Sequence, residues 1–524
     1  MVERSETGGV CSCQRVANLA TPTAFGIFWL TATNGGHSLS FAFAQQLPQR
    51  GSQGHFVPAG RQIGDPYGFA VRNGKPAPSR RNIPPQQEPG AIPFDELDEE
   101  YVMIQTFSLW PGVTLRCVQD GRFKQGCLSV QLVRPMAESE AAMNALLPAV
   151  LLRGTRQHPS LRAITLALDD LYGAAVSPLV RRVGDYQTTG LYCGFMDERF
   201  ALPGDKVLEP MADFLRELLF CSPVEQGGFL RRYVDSEKKN LISSIECDRN
   251  DKQVYAMSRL LKNMCAADSF GIPRLGEPEQ VAAITAQGLW EHYQRILRES
   301  RVEFFYVGSR APEQVAQMLL KQIPFEGRTP VALPPQSGFH DCPGSHVTEA
   351  MDVTQGKLCL GFTTPVTLQS RDYAAMQLFN QVYGGGMTSK LFLNVREKQS
   401  LCYSISSGYY GAKGILTVAA GIDSASREQT QQEILRQLED CAAGEITAQE
   451  LADAQQAMRS ALQALHDSPG AIENYYATAA LSGRNLTPAQ YLQQVNRVEV
   501  ADLVRMAQSV KLHSSFFLTE GGTQ

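Results

Sequence analysis

Gly384-Gly385-Gly386-Met387-Thr388-Ser389-Lys390-Leu391-Phe392, then Val395-Arg396-Glu397-Lys398, then Leu401-Cys402-Tyr403-Ser404, is the sharpest signal in the chain. A glycine triplet alone says little, because Gly384, Gly385 and Gly386 can serve simply as the turn at a helix start. The combination says more. Arg396 and Tyr403 stand seven residues apart, at a helix end and in the strand that follows, so both can face one cavity. Arg396 can fix a peptide carbonyl or carboxylate through charge-assisted hydrogen bonds. Tyr403 can donate to the oxyanion formed when a peptide carbonyl is attacked. The plain alternative is a surface arginine beside a core tyrosine.

Outward from this block, the chain reads as two similar halves. Val113–Val118 and Cys127–Val133 have strand content, and Glu138–Leu152 and Arg162–Tyr172 have helical period. Tyr186–Phe195 is strand-like, and Lys206–Leu219, Gly228–Asn250 and Gln253–Ala266 read as amphipathic helices before a strand at Val302–Val307. A similar order then recurs. Gln125-Gly126 with Cys127–Val133 matches Gln355-Gly356 with Leu358–Thr363, and Pro278–Leu297 matches Pro488–Val510. The proline-rich stretch 323–352 reads as a linker. The expected organisation is an N-terminal domain at 103–322, that linker, and a C-terminal domain at 353–520. Residues 1–93 are rich in Gly, Pro, Gln and Ser without regular period and read as a low-order leader.

At 524 residues the chain exceeds a single core, so more than one domain is expected. Its formal charge of −5 gives no reason to expect nucleic acid or an anionic membrane as partner. Apolar runs fall short of a bilayer span. The 12 cysteines are scattered in apolar stretches and read as reduced thiols, hence a cytoplasmic protein. Cys11 and Cys13 form a C-x-C pair that nothing downstream completes into a zinc set.

The glycine-rich turn, the R-E-K helix and the L-x-Y strand resemble the C-terminal half of the insulinase/pitrilysin metallopeptidases. The likeness covers roughly residues 103–520. It is nearest to the F-type members of the two-chain pair associated with 5-aminopentanol modification of elongation factor P in Gram-positive bacteria. Phe123-Lys124, Arg153-Gly154-Thr155, Leu171-Tyr172-Gly173-Ala174 and the Gly384–Tyr403 block carry that nearer likeness. The resemblance implies an α/β (α+β) fold of two homologous halves, each a mainly antiparallel sheet packed with helices.

In that family the N-terminal half carries H-x-x-E-H on a helix. Its histidines at i and i+4 bind zinc, and its glutamate activates the bound water. Val150-Leu151-Leu152-Arg153-Gly154-Thr155 resembles the family's M-L-x-[KR]-G-T, and counting back puts Ala145 and Ala149 at the histidine positions and Pro148 at the glutamate. None can ligate a metal or take a proton. No H-x-x-E-H occurs among the eight histidines, and His340 and His346 fall in the proline-rich linker, where exposure is expected. Glu237 stands at the family's third ligand position as a vestige, and a solvated helix-face glutamate explains it equally well.

Family members of two chains divide the labour: one binds zinc, and the other lends Arg and Tyr across the interface. The resemblance implies the lending role here, with no cofactor in this chain and zinc in an H-x-x-E-H partner. Arg396 and Tyr403 would then act in trans on a peptide, with Gly384–Gly386 along the substrate chamber. The alternatives are a purely structural homologue, like the core subunits of the respiratory bc complex, and an independent zinc peptidase with unrecognised ligands.

Overall fold

A computed structural model describes residues 104–521. The leader and the Cys11/Cys13 pair lie outside the described residues.

The first sheet contains β1 (Ile104–Trp110), β2 (Val113–Gln119), β3 (Gln125–Pro135), β4 (Ala175–Val183) and β5 (Tyr186–Met196). A two-residue hairpin, β6 (Val224–Glu225) with β7 (Gly228–Phe229), stands apart, and β8 (Arg301–Gly308) completes the sheet. The second sheet contains β9 (His346–Met351), β10 (Gly356–Thr363), β11 (Ser404–Tyr410), β12 (Ile415–Ile422) and β13 (Lys511–Glu520). The strand orders are β4-β5-β3-β8-β2-β1 and β11-β12-β10-β13-β9. Each sheet is antiparallel except for one parallel pair, β2 with β8 and β9 with β13. Those pairs hold equivalent places, so the two sheets repeat one topology with β1 added. The α+β class expected from the sequence is the class found, as two halves of one design.

The halves interlock by exchange. Helix Lys252–Met264 of the first half lies on β10 and β13, and helix Pro469–Ser482 of the second lies on β3 and β8. This explains a feature of the sequence. β3 is buried along nearly its whole length rather than on alternate residues, because both of its faces are covered, and so its apolar run is nearly continuous. The borrowed helix is also pinned by charge. Glu473, buried, accepts from Ser129 Oγ at 2.6 Å, Gln131 Nε2 at 2.8 Å and Arg181 Nη2 at 2.8 Å. A carboxylate taken out of water needs partners of this kind.

A second cross-link is Lys413, in the β11–β12 hairpin turn region. Its ammonium, with no solvent exposure, lies 2.5 Å from Asp185 and 2.9 Å from Asp268 of the first half. Burial alone would raise the Asp185 pKa. Hydrogen bonds from Lys413, Ser269 Oγ and the Ser337 N–H outweigh it and hold the carboxyl below its ordinary value. A depressed carboxyl contributes stability that is complete above the unfolded value of about 3.9 and is lost as pH falls through the folded value. Urea unfolding of the wild type is therefore expected to weaken below about pH 4. In Asp185→Asn that part of the pH slope disappears, and an unchanged slope would contradict the assignment.

Some expectations shift. Within the stretch 323–352, His346–Met351 form β9, a short, half-exposed edge strand whose alternation is hard to see behind the prolines. Gly228–Asn250 is not one helix: Gln226 and Gly227 take positive φ and turn the β6–β7 hairpin, and the helix begins at Arg231. β4 was not anticipated, since Pro178 and Arg181-Arg182 mask it; proline is tolerated there because β4 is an edge strand. Among the described residues, no helix is long and apolar enough to cross a membrane, and the ten described cysteines are free.

Candidate functional site

Ala145, Pro148 and Ala149 all sit in helix Glu138–Leu151. Pro148 has no N–H, so the Asn144 carbonyl one turn earlier loses its helical donor. The hydroxyl of Thr189, on β5, donates to that carbonyl at 2.6 Å instead. The Asn144 side chain donates to Gln187 Oε1 at 2.9 Å, and its Oδ1 meets His292 Nε2 at 2.7 Å. Burial drives the His292 pKa down to about 4, so it is neutral at physiological pH. A proline that would otherwise damage the helix is thus accommodated by neighbours on another strand.

Glu237 is not a solvated helix-face acid. It is 8% exposed. Its Oε1 accepts a hydrogen bond and ion pair from Arg153 Nε, and its Oε2 accepts from Asn240 Nδ2 at 3.1 Å. Arg153 also donates to Ser236 Oγ at 2.7 Å. The correction has a physical reason: a nearly buried carboxylate needs a cation, and the R-G-T turn supplies it. Thr155 of the same turn donates to buried Glu217, which also faces His158 Nδ1 at 2.9 Å. Sequence reading missed these pairings, because their members lie 62 and 84 residues apart in the chain. Among the described residues, no group of three or more His, Cys, Asp or Glu is placed to hold a metal ion. Ala145 and Ala149 bring no donor atoms, and Glu237 is already paired, so the residues present do not fit a resident zinc. His340 and His346 are exposed, with His346 opening β9 rather than lying in the linker.

In the second half, Gly384 ends helix Tyr373–Tyr383 rather than starting one, with its N–H on Asn380 O at 3.0 Å. Its carbonyl accepts from the Ser407 N–H of β11 at 2.8 Å. A Cβ there would sit 2.7 Å from Ser407 Oγ and 2.8 Å from Leu391 Cδ1. Gly384→Ala is therefore expected to destabilise by about 1–3 kcal/mol through overpacking, read as a drop in thermal midpoint. An unshifted midpoint would show that the turn yields.

Residues 391–398 form a π-helix, and Arg396 lies in its last turn. Its guanidinium stacks 4.5 Å from the Phe392 ring centroid and, among the described residues, makes only a loose 3.7 Å pair with Glu397. Ser400, at positive φ, reverses the chain, with its N–H on Arg396 O at 3.0 Å. The Tyr403 N–H then donates to Gly421 O at 2.9 Å, one residue before β11 begins. Tyr403 is 60% exposed, and its phenol donates to Asp423 at 3.1 Å. That hydrogen bond, and the carboxylate's charge, raise the phenol's pKa, so it stays a donor at neutral pH. Burial pushes the Cys402 thiol up to about 11 against the opposing charge of Arg396. Met387 and Leu393 are nearly half exposed on the same turn and helix. The Arg, the phenol and this apolar surface belong to one exposed segment.

The described residues thus form a repeated α+β fold with no metal-donor side chain at Ala145, Pro148 or Ala149 and an exposed segment that carries Tyr403 beside Arg396. Residues 283–458 match the family described as peptidase M16 inactive domain. The chain is 30% identical over 414 residues to the "Probable inactive metalloprotease YmfF" of Bacillus subtilis, a match spanning 79% of this chain and 97% of that protein. It therefore belongs to the M16, or insulinase-type, peptidase family, and its sequence holds no H-x-x-E-H motif. A conserved protein from Enterococcus faecalis has a similar structure, with TM-score 0.75 and 26% identity, covering 80% of this chain and 99% of that one. The peptidase M16 inactive domain of Pseudomonas fluorescens shares the fold at TM-score 0.68 and 18% identity, covering 80% of this chain and 99% of that one.

Proposed function

We propose that this chain is the non-zinc-binding subunit of a two-chain M16 peptidase. It lends Arg396 and Tyr403 to the active centre of an H-x-x-E-H partner. Arg396 holds a carbonyl or carboxylate of the peptide, and Tyr403 leaves Asp423 to donate to the developing oxyanion. Zinc in the partner supplies the activated water. The turn at Gly384–Gly386 lies along the chamber that the two chains enclose. The nearer likeness noted above ties the pair to elongation factor P modification in the cytoplasm.

The observation that carries the reading is an asymmetry. The ligand positions hold Ala145, Pro148 and Ala149, and Glu237 is tied to Arg153. Arg396, by contrast, keeps only a loose ionic partner among the described residues, and Tyr403 is exposed. Co-expression with H-x-x-E-H chains of the family, followed by pull-down and a peptide-cleavage assay, tests it. Cleavage is expected from the mixture and from neither chain alone. A stable complex that cleaves nothing would favour the second reading, a purely structural subunit. The hydrogen bond that already occupies the Tyr403 phenol supports that second reading.

A further inference from the structure

A groove of about 990 Å³ opens in the helical layer of the second half, and its charge is unbalanced. It is walled by the start of helix Tyr373–Tyr383, the turn after helix Pro469–Ser482, and the helices Pro488–Asn496 and Val500–Ser509. Four arginines line it, Arg371, Arg484, Arg497 and Arg505, against two aspartates, Asp372 and Asp502. Both aspartates are taken by Arg505, at 3.2 and 2.7 Å. Arg371 and Arg497 are exposed and have no carboxylate at ion-pair distance among the described residues.

Arg484, which lines the same groove, is held by several contacts. Its guanidinium stacks 4.5 Å from the Tyr373 ring centroid and donates to Leu368 O at 2.9 Å and Gln494 Oε1 at 2.5 Å. Its Nε is buried and has no acceptor among the described residues. A buried donor without a partner is costly, and its presence needs an explanation. Helix Tyr373–Tyr383 begins at the groove with no side-chain cap, so its dipole adds positive potential there. The same helix ends at Gly384. Its 11 residues put roughly 16 Å of helix between the groove and the Gly384 turn, and neither Arg396 nor Tyr403 lines the groove.

We propose that this groove binds a small oxyanion carrying two or more charges, of the phosphoryl or polycarboxylate class. Two guanidiniums without carboxylate partners match oxyanion pairs in fork geometry. The volume suits a small molecule. This inference does not rest on the proposed peptidase role.

The test is calorimetric titration of the full chain with sodium tripolyphosphate, and separately with citrate, in about 0.15 M salt so that diffuse surface attraction is screened. The expected result is saturable binding of at least one of the two, with Kd below a millimolar, and the preferred probe names the class. Arg371→Ala/Arg497→Ala is expected to weaken that binding at least tenfold while leaving the thermal midpoint in place, since both side chains are exposed. Arg162→Ala/Lys239→Ala, on exposed surface elsewhere, removes the same charge and is expected to leave binding unchanged. Absence of binding by both probes overturns the proposal. So does equal weakening by the two double variants, or binding indifferent to Arg371 and Arg497.

Discussion

Lys413→Met is expected to lower the free energy of unfolding by about 3–5 kcal/mol, the cost of leaving buried carboxylates without their cation. The ammonium is fully enclosed and touches Asp185, Asp268 and Ser337 Oγ. Its removal leaves Asp268, buried, and Asp185, partly buried, without their shared cation. Methionine keeps much of the volume, so the effect reads charge rather than a cavity. The measurement is urea unfolding at pH 7, followed by circular dichroism. Adding Asp185→Asn and Asp268→Asn to Lys413→Met is expected to recover a large share of the loss, since no charge is then left unpaired. A loss under about 1 kcal/mol in the single variant would mean that the carboxylates find other partners or take up protons cheaply.

Tyr403→Phe, assayed in the reconstituted two-chain enzyme, is expected to lower kcat by about 10²–10³-fold, the usual consequence of deleting an oxyanion donor. Arg396→Ala is expected to act mainly on KM, because the guanidinium grips the peptide in ground and transition state alike. Tyr403 is 60% exposed, and its hydrogen bond to Asp423 is a surface one. The substitution is therefore expected to leave the thermal midpoint in place, so a fall in activity cannot be charged to unfolding. Wild-type rates in the variant carrying both substitutions would remove these two residues from the chemistry and leave the chain a scaffold.

The fold was legible where periodicity and duplication coincide. The Gln-Gly entries to β3 and β10 mark the same strand in the two sheets. The resemblance of Val150–Thr155 to the family's segment is what points to Ala145, Pro148 and Ala149, and that these side chains offer a metal no donor atom is readable without coordinates. What stayed hidden were partnerships between distant positions. Arg153 with Glu237, Thr189 with the Asn144 carbonyl, and Lys413 with two aspartates each join elements that no local pattern links. One of them had a signal: a proline inside a helix obliges some other group to satisfy the carbonyl one turn before it. The exchange of helices between halves was equally hidden, although the unbroken apolar run of β3 is its trace. At Tyr403 the sequence gives the phenol but not Asp423, which lies on the turn following β12.

Metal analysis of the purified chain, run beside a peptide-cleavage assay of the same sample, addresses the central claim most directly. The expected result is zinc far below one ion per chain and no hydrolysis. One tightly held zinc per chain with accompanying hydrolysis would contradict it.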